Sequence, residues 1–167
     1  MTDACHPRHE LGDADLTVTV QATPAAVSDL TRQVGRWLDA MPVDAQRHSD
    51  IVLAAYEALA NCADHAYRDC DVTGSMTLEV TLDEETVRVC VTDGGRWVDP
   101  QTQQPTNTRG RGLRLMQALC DDFTVNGTDD GTTVCLHFQQ CLTAAQPRRE
   151  EGSGQRAGSD DSVSAGA

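Results

Sequence analysis

Residues 51–68, Ile-Val-Leu-Ala-Ala-Tyr-Glu-Ala-Leu-Ala-Asn-Cys-Ala-Asp-His-Ala-Tyr-Arg, carry apolar side chains at helical spacing, at Ile51, Ala55, Leu59, Cys62 and Ala66. A helix this apolar has to bury one face in a core. Along it, however, Glu57, Asn61, Asp64, His65 and Arg68 fall on one polar stripe. Such a stripe is either a solvated face or the wall of a ligand pocket, and spacing alone leaves both readings open. In the second reading Glu57 and Asn61, one turn apart, divide the chemistry. Asn offers a neutral hard oxygen to a magnesium ion already shared with a polyphosphate and adds no negative charge. Glu57 can take a proton or hold a water.

The rest of the chain supplies a sheet for this helix to cover. Residues 16–22 alternate and are rich in β-branched side chains, as expected of a strand. Thr23-Pro24 reads as an N-cap followed by Pro at the first helical position, opening a helix to about Met41 with Val27, Leu30, Val34, Trp37 and Leu38 toward the core and Asp29, Arg32 and Arg36 outside. Pro42 ends it, and Asp44 starts the long helix, which runs to about Arg68. Residues 75–82 and 86–92 form a hairpin with one buried face. Its second strand leads into Asp93-Gly94-Gly95, and residues 96–109 follow as a long aperiodic loop with two prolines. Gly110-Arg111-Gly112 opens a helix to Cys120. Residues 123–126 and 131–138 form a closing hairpin. The order of strand, helix, helix, hairpin, loop, helix, hairpin predicts an α+β two-layer sandwich, a mostly antiparallel sheet covered on one face by three helices. The expected domain spans residues 15–142, between a frayed segment 1–14 and a tail 143–167 whose composition cannot form a core.

Composition narrows the chemistry. All thirteen basic residues are Arg. The absence of Lys excludes a P-loop, a protein-kinase strand lysine and Schiff-base chemistry. Any phosphate binding must therefore use backbone amides, Arg and metal. The net charge of −13 argues against a nucleic-acid surface, and no apolar run approaches the ~18 residues of a membrane span. The seven Cys show no CxxC pair and an odd count, which fits neither a zinc site nor a disulfide framework, so reduced thiols and a cytoplasmic location are expected. Cys5-His6-Pro7-Arg8-His9 is either a short metal-binding tract or an unstructured end.

Taken singly, Gly110-x-Gly112 before a helix is an anion site or a cap, and Asp93-x-Gly95 is a pocket corner or an ordinary turn. In order, Glu57-x-x-x-Asn61, Asp93-x-Gly95, a Pro-containing loop, Gly110-x-Gly112 and Gly131-Thr132-Thr133-Val134 resemble the GHKL ATPase superfamily, whose ATP site is the Bergerat or histidine-kinase-like fold. Glu57 to Tyr67 and Gly110 to Met116 are similar, within it, to the anti-sigma-factor serine kinases. The resemblance covers roughly residues 16–138.

The resemblance implies an ATP-dependent serine/threonine protein kinase that binds a sigma factor and phosphorylates an anti-anti-sigma (STAS-type) partner, regulating transcription without touching nucleic acid or membrane. ATP and magnesium are the implied cofactors, and homodimerisation follows from family likeness. Asn61 would ligate magnesium and Glu57 would be the general base. Asp93 would accept from the adenine amino group, with Gly95 giving the ring space and Thr133 supporting the adenine end. Gly110, Gly112 and the adjoining Leu113 would border the phosphates under a lid formed by residues 96–109. Arg109 and Arg111 are positioned to add charge-assisted contacts, and Arg32 matches a partner-binding arginine. His65 and Arg68 line the site, meet a partner or serve only structure.

One departure stands out. The family's Asp-x-Gly-x-Gly reads here Asp93-Gly94-Gly95-Arg96-Trp97, with Trp in place of the second Gly. Trp97 either stiffens the lid base, which puts turnover in question and favours a non-catalytic, nucleotide-gated binding protein, or anchors the lid as an apolar contact. A histidine-kinase fragment is the third reading, disfavoured because no phosphoacceptor helix precedes residue 16. Cys62, beside Asn61, is either a buried filler or a thiol whose modification would reach the ATP site.

Overall fold

Strand alternation becomes a five-stranded sheet in which every pair of neighbours is antiparallel. In a computed structural model describing residues 16–65, 74–95 and 109–143, β1 (Leu16–Gln21), β2 (Ser75–Asp83), β3 (Thr86–Asp93), β4 (Asp122–Thr128) and β5 (Gly131–Phe138) lie in the order β1-β2-β3-β5-β4. The final strand thus inserts between β3 and β4. One face buries Met76, Leu78 and Val80 of β2, Val87, Val89 and Val91 of β3, and Leu136 and Phe138 of β5. The period of two that hides these residues leaves Thr77, Glu79, Arg88 and Thr92 on the other face.

Helices α1 (Pro24–Asp39), α2 (Ala45–His65) and α3 (Arg109–Leu119) cover the apolar face. Thr23 Oγ1 accepts from the Ala26 N–H at 3.2 Å, and Pro24 follows it, so α1 starts where the sequence predicts. It buries Val27, Leu30, Val34 and Leu38 and stops at Asp39, slightly short of Met41. Asp44 Oδ1 caps α2 by accepting from Gln46 and Arg47 N–H at 2.9 and 3.1 Å. Ile51, Ala54, Ala55, Ala58, Leu59 and Cys62 of α2 are buried. The two-layer α+β sandwich expected from the element order is the observed fold.

The chain after β5 runs back along the α1–α2 junction. Asp44 N–H donates to Cys141 O at 2.8 Å, Thr143 N–H donates to Pro42 O at 2.8 Å, and Leu142 forms a bridge with Val43. Thr143 therefore belongs to the folded unit, one residue beyond the expected boundary. The proposed end segments 1–14 and 144–167 lie outside the described residues.

On the open face, Cys90 of β3 and Cys135 of β5 stand opposite one another and form a disulfide. This corrects the expectation of reduced thiols throughout: an odd count without CxxC carries no signal for a pair that only strand register brings together. Cys62, Cys120 and Cys141 are free. Closing a loop across a sequence separation of 45 constrains the unfolded chain, so reduction should lower unfolding free energy by about 2–4 kcal/mol. Urea unfolding with and without reductant measures this. The Cys90→Ala/Cys135→Ala double variant should show no reductant effect, and a reductant effect that survives in it would locate the stabilisation elsewhere.

Candidate active site

Glu57 and Asn61 project from α2 toward the first turn of α3, where both are half-buried. Gly112 makes this approach feasible. A Cβ on it would lie 3.0 Å from Glu57 Oε2 and 3.3 Å from both Nδ2 and Oδ1 of Asn61. With hydrogen in that place, a carboxylate, an amide and the start of a helix share one small space. The first N–H groups of α3, from Arg109 to Gly112, have no acceptor within the helix and carry its positive dipole end. That is a setting for an anion. Arg111 is exposed and Leu113 packs partly against the core. Arg109 and Gly110 open α3, but their side-chain environment lies outside the described residues, as do Arg68, the lid residues 96–108 and Trp97.

Asp93, the last residue of β3, forms a second focus. Its Oδ1 accepts from Gly95 N–H at 2.9 Å, and Cys62 and the Thr132 backbone favour the charged form of the carboxylate. Burial is the chief influence and lifts this carboxyl above the ordinary Asp range, while Gly95, Cys62 and Thr132 pull it back. Kept ionised, the group costs stability. That cost is absent below the ordinary Asp range and grows as pH rises through the raised folded value. A ligand donating to Asp93 offsets it. Cys62, only 4% exposed, is pushed far up by burial first and then by the Asp93 charge and hydrogen bond. It stays protonated, which removes the thiolate that modification would require.

The adenine-end threonine needs correction. Thr133 pairs with Thr92 across β5 and β3, their hydroxyls 3.1 Å apart on the open face. Thr132, one residue earlier and 6% exposed, is opposite Asp93 on the helix-covered face. Thr132, rather than Thr133, is thus the residue beside the carboxylate. Gly131 is equally constrained, because a Cβ there would stand 2.3 Å from the Asp93 carbonyl oxygen.

Arg32 is exposed and ion-paired with Asp29 one turn back on α1. Asp64 is exposed at the end of α2, whereas Glu57 and Asn61 on the same stripe are half-buried. Among the described residues no three His, Cys, Asp or Glu converge on a metal site. A lone neutral amide beside a space that a Cβ would fill suits a divalent ion drawing most of its oxygens from a bound polyphosphate. A separate shallow groove of about 420 Å³ between α1 and α2 is lined by Thr31, His48, Ser49, Val52, Leu53 and Tyr56. Among the described residues no helix is long and apolar enough to cross a membrane.

An antiparallel sheet under three helices, with a donor-held carboxylate ending a middle strand and an Asn-bearing helix set against a glycine helix start, has the architecture of histidine-kinase-like ATP-binding domains. Comparison with known proteins agrees. The family described as the histidine kinase-like ATPase domain matches residues 20–138, and this chain belongs to it. The chain is 31% identical over 100 residues to the serine-protein kinase RsbW of Bacillus licheniformis, a match covering 52% of this chain and 62% of that protein. It is also similar to a crystal structure of the RsbU and RsbW domains of a Mycobacterium tuberculosis protein, with TM-score 0.63 and 27% identity over 78% of this chain and 33% of the other. The histidine kinase domain of a blue-light activated kinase from Erythrobacter litoralis shares the fold, at TM-score 0.51 and 21% identity over 72% of this chain and 62% of that one. Within the histidine-kinase-like family, the likeness is to RsbW, of which the chain spans less than two thirds in the curated relative and about a third of the solved multidomain protein.

Proposed function

We propose that this domain binds magnesium-ATP between α2, α3 and the β3 end, holds a sigma factor, and transfers the γ-phosphoryl group to a serine of an anti-anti-sigma partner, in the cytoplasm. The observation that carries the reading is the meeting of Glu57 and Asn61 over Gly112 at the start of α3. Asp93 would take the adenine amino group, with Gly95 and Thr132 bordering the ring. Amides of Gly110 and Gly112 would hold phosphate oxygens, with Arg109 and Arg111 adding charge. Asn61 would hold magnesium, which when bound neutralises developing phosphate charge. Glu57 would receive the serine hydroxyl proton as the serine oxygen bonds to the γ-phosphorus and the bridging oxygen leaves with ADP. Arg32 would contact a partner once released from Asp29. The serine-kinase relative supports the transfer step.

Calorimetric titration with ATP, with and without magnesium, tests the site. Magnesium-dependent binding is expected, weakened about tenfold or more in Asn61→Ala, as for a lost polar ligand of a charged group. Equal affinity in that variant would remove Asn61 from the site. The substitution of Trp97 for the family's second Gly favours a second reading, a nucleotide-gated binding protein without transfer. Labelled ATP incubated with a STAS-type partner separates the two by whether the partner becomes labelled.

A further inference from the structure

Solvent-facing helix positions ordinarily carry polar side chains, and α1 follows this with Asp29, Arg32, Arg36 and Asp39. α2 does not. Leu53 and Tyr56 are 42% and 43% exposed, the exposed large apolar side chains among the described residues. Ala60 and Ala63 continue their line, partly buried against the core. Positions 53, 56, 60 and 63 recur at intervals of three and four, the spacing of a seam that receives a second helix. We propose that this stripe, with the adjoining α1–α2 groove, docks the serine-bearing partner through the apolar face of an amphipathic helix.

The groove favours an apolar occupant. Thr31 Oγ1 donates to Val27 O at 2.8 Å and Ser49 Oγ donates to Ala45 O at 3.1 Å, so both hydroxyls are committed to their own helices. His48 Nε2 pairs with Asp39 Oδ1 at 3.0 Å. Val52, Leu53 and Tyr56 complete the lining of about 420 Å³. A ligand seated there gains by burying carbon rather than by polar pairing.

Position selects the occupant. On α2, Leu53 lies about one turn before Glu57, Tyr56 immediately before it and Ala60 just under one turn after it. Whatever seats on the stripe therefore lies alongside the proposed base, and only the phosphoryl acceptor has to bring a side chain there. A second copy of this chain fits less well. Two large side chains and one groove make a patch too small for a stable copy-to-copy interface, which buries about 1,200 Å² or more, and they suit a partner that leaves once modified. The chain's own residues 144–167 offer no apolar side chain larger than Val163.

The inference rests on the kinase reading, and its test separates the two. The probe is the STAS-type protein that the unsubstituted chain labels from γ-labelled ATP. Leu53→Gln and Tyr56→Gln keep helix-compatible residues at exposed positions and remove the apolar ends. Each should raise the KM for the probe about tenfold, and the double variant about 30- to 100-fold, with ATP affinity level. Leu53→Met and Tyr56→Phe, which keep apolar bulk, should stay within about twofold of the original. Thermal unfolding of each variant reads the fold independently. A KM that stays level in the double Gln variant overturns the docking surface and leaves the kinase reading standing. Loss of sigma-factor binding, or of self-association in sedimentation, beside that level KM would give the stripe to the other occupant. No labelling of any STAS-type protein by the unsubstituted chain overturns the kinase reading and this inference with it.

Discussion

Glu57→Ala is expected to reduce phosphoryl transfer to a serine partner by about 10²–10⁴-fold, the range for removing a general base. ATP affinity should change little, because in the proposed reading Glu57 serves the transfer end, and it is not among the groups that favour the charged form of Asp93. The structure gives reason to expect a clean loss. Glu57 is half-buried on a helix whose far side, through Ala55, Leu59 and Cys62, is fixed in the core, so truncation removes the carboxylate without loosening its support. Quenched assays with labelled ATP measure transfer, and calorimetry on the same protein measures binding. Glu57→Gln should be nearly as slow as Ala, since the amide retains the shape and cannot take the proton. Transfer at the unsubstituted rate in either variant would require another base. Equal loss of ATP binding and transfer would instead make Glu57 a nucleotide contact.

The elements were readable because their signals are local. Thr23-Pro24 and Asp44 name the helix starts, and their side chains make the capping bonds that those residue types promise. Alternation in β2 and β3 names the buried face, because a period of two leaves no other set to hide. In the candidate site, the side-by-side placement of Glu57 and Asn61 was legible for the same reason, since they share a stripe at fixed spacing. Across strands the reading failed. Thr132 and Thr133 are chemically identical neighbours pointing to opposite faces, and which one meets Asp93 depends on the β3–β5 register. That register exists only because β5 inserts between β3 and β4, a long-range pairing with no local trace. The Cys90–Cys135 disulfide was hidden by the same crossover. Reading Cys62 as buried was correct about its environment and silent about its influence on Asp93, since burial follows from helical spacing but that influence requires α2 to lie across the end of β3.

Two glycines at opposite ends of the site should respond very differently to one added methyl group, and the contrast tests how the site is built. At Gly131 the new Cβ would stand 2.3 Å from the carbonyl oxygen of Asp93, with Asp93 C and Gly94 Cα at 3.4 Å. These are backbone atoms in a central strand pair, which cannot swing aside, so β5 must separate from β3 at the Asp93–Thr132 step. Gly131→Ala is therefore expected to lose about 3–5 kcal/mol, combining overpacking with broken ladder bonds, and the folded fraction should bind ATP poorly. At Gly112 the neighbours are the ends of Glu57 and Asn61 side chains, 3.0–3.3 Å away, which can rotate. Gly112 is buried, but Ala is intrinsically better than Gly in a helix by up to ~1 kcal/mol, which offsets the crowding, so Gly112→Ala should fold with stability within about 1 kcal/mol of the original. Its methyl group would nevertheless occupy the space where carboxylate, amide and helix start converge, and magnesium-ATP binding and transfer should fall together. Urea unfolding and ATP titration of both variants read the two effects separately. Full transfer by Gly112→Ala would place the phosphate end away from the α2–α3 junction, and unchanged stability of Gly131→Ala would mean that the β3–β5 pair can open at Asp93, leaving the carboxylate free to move rather than held for a base.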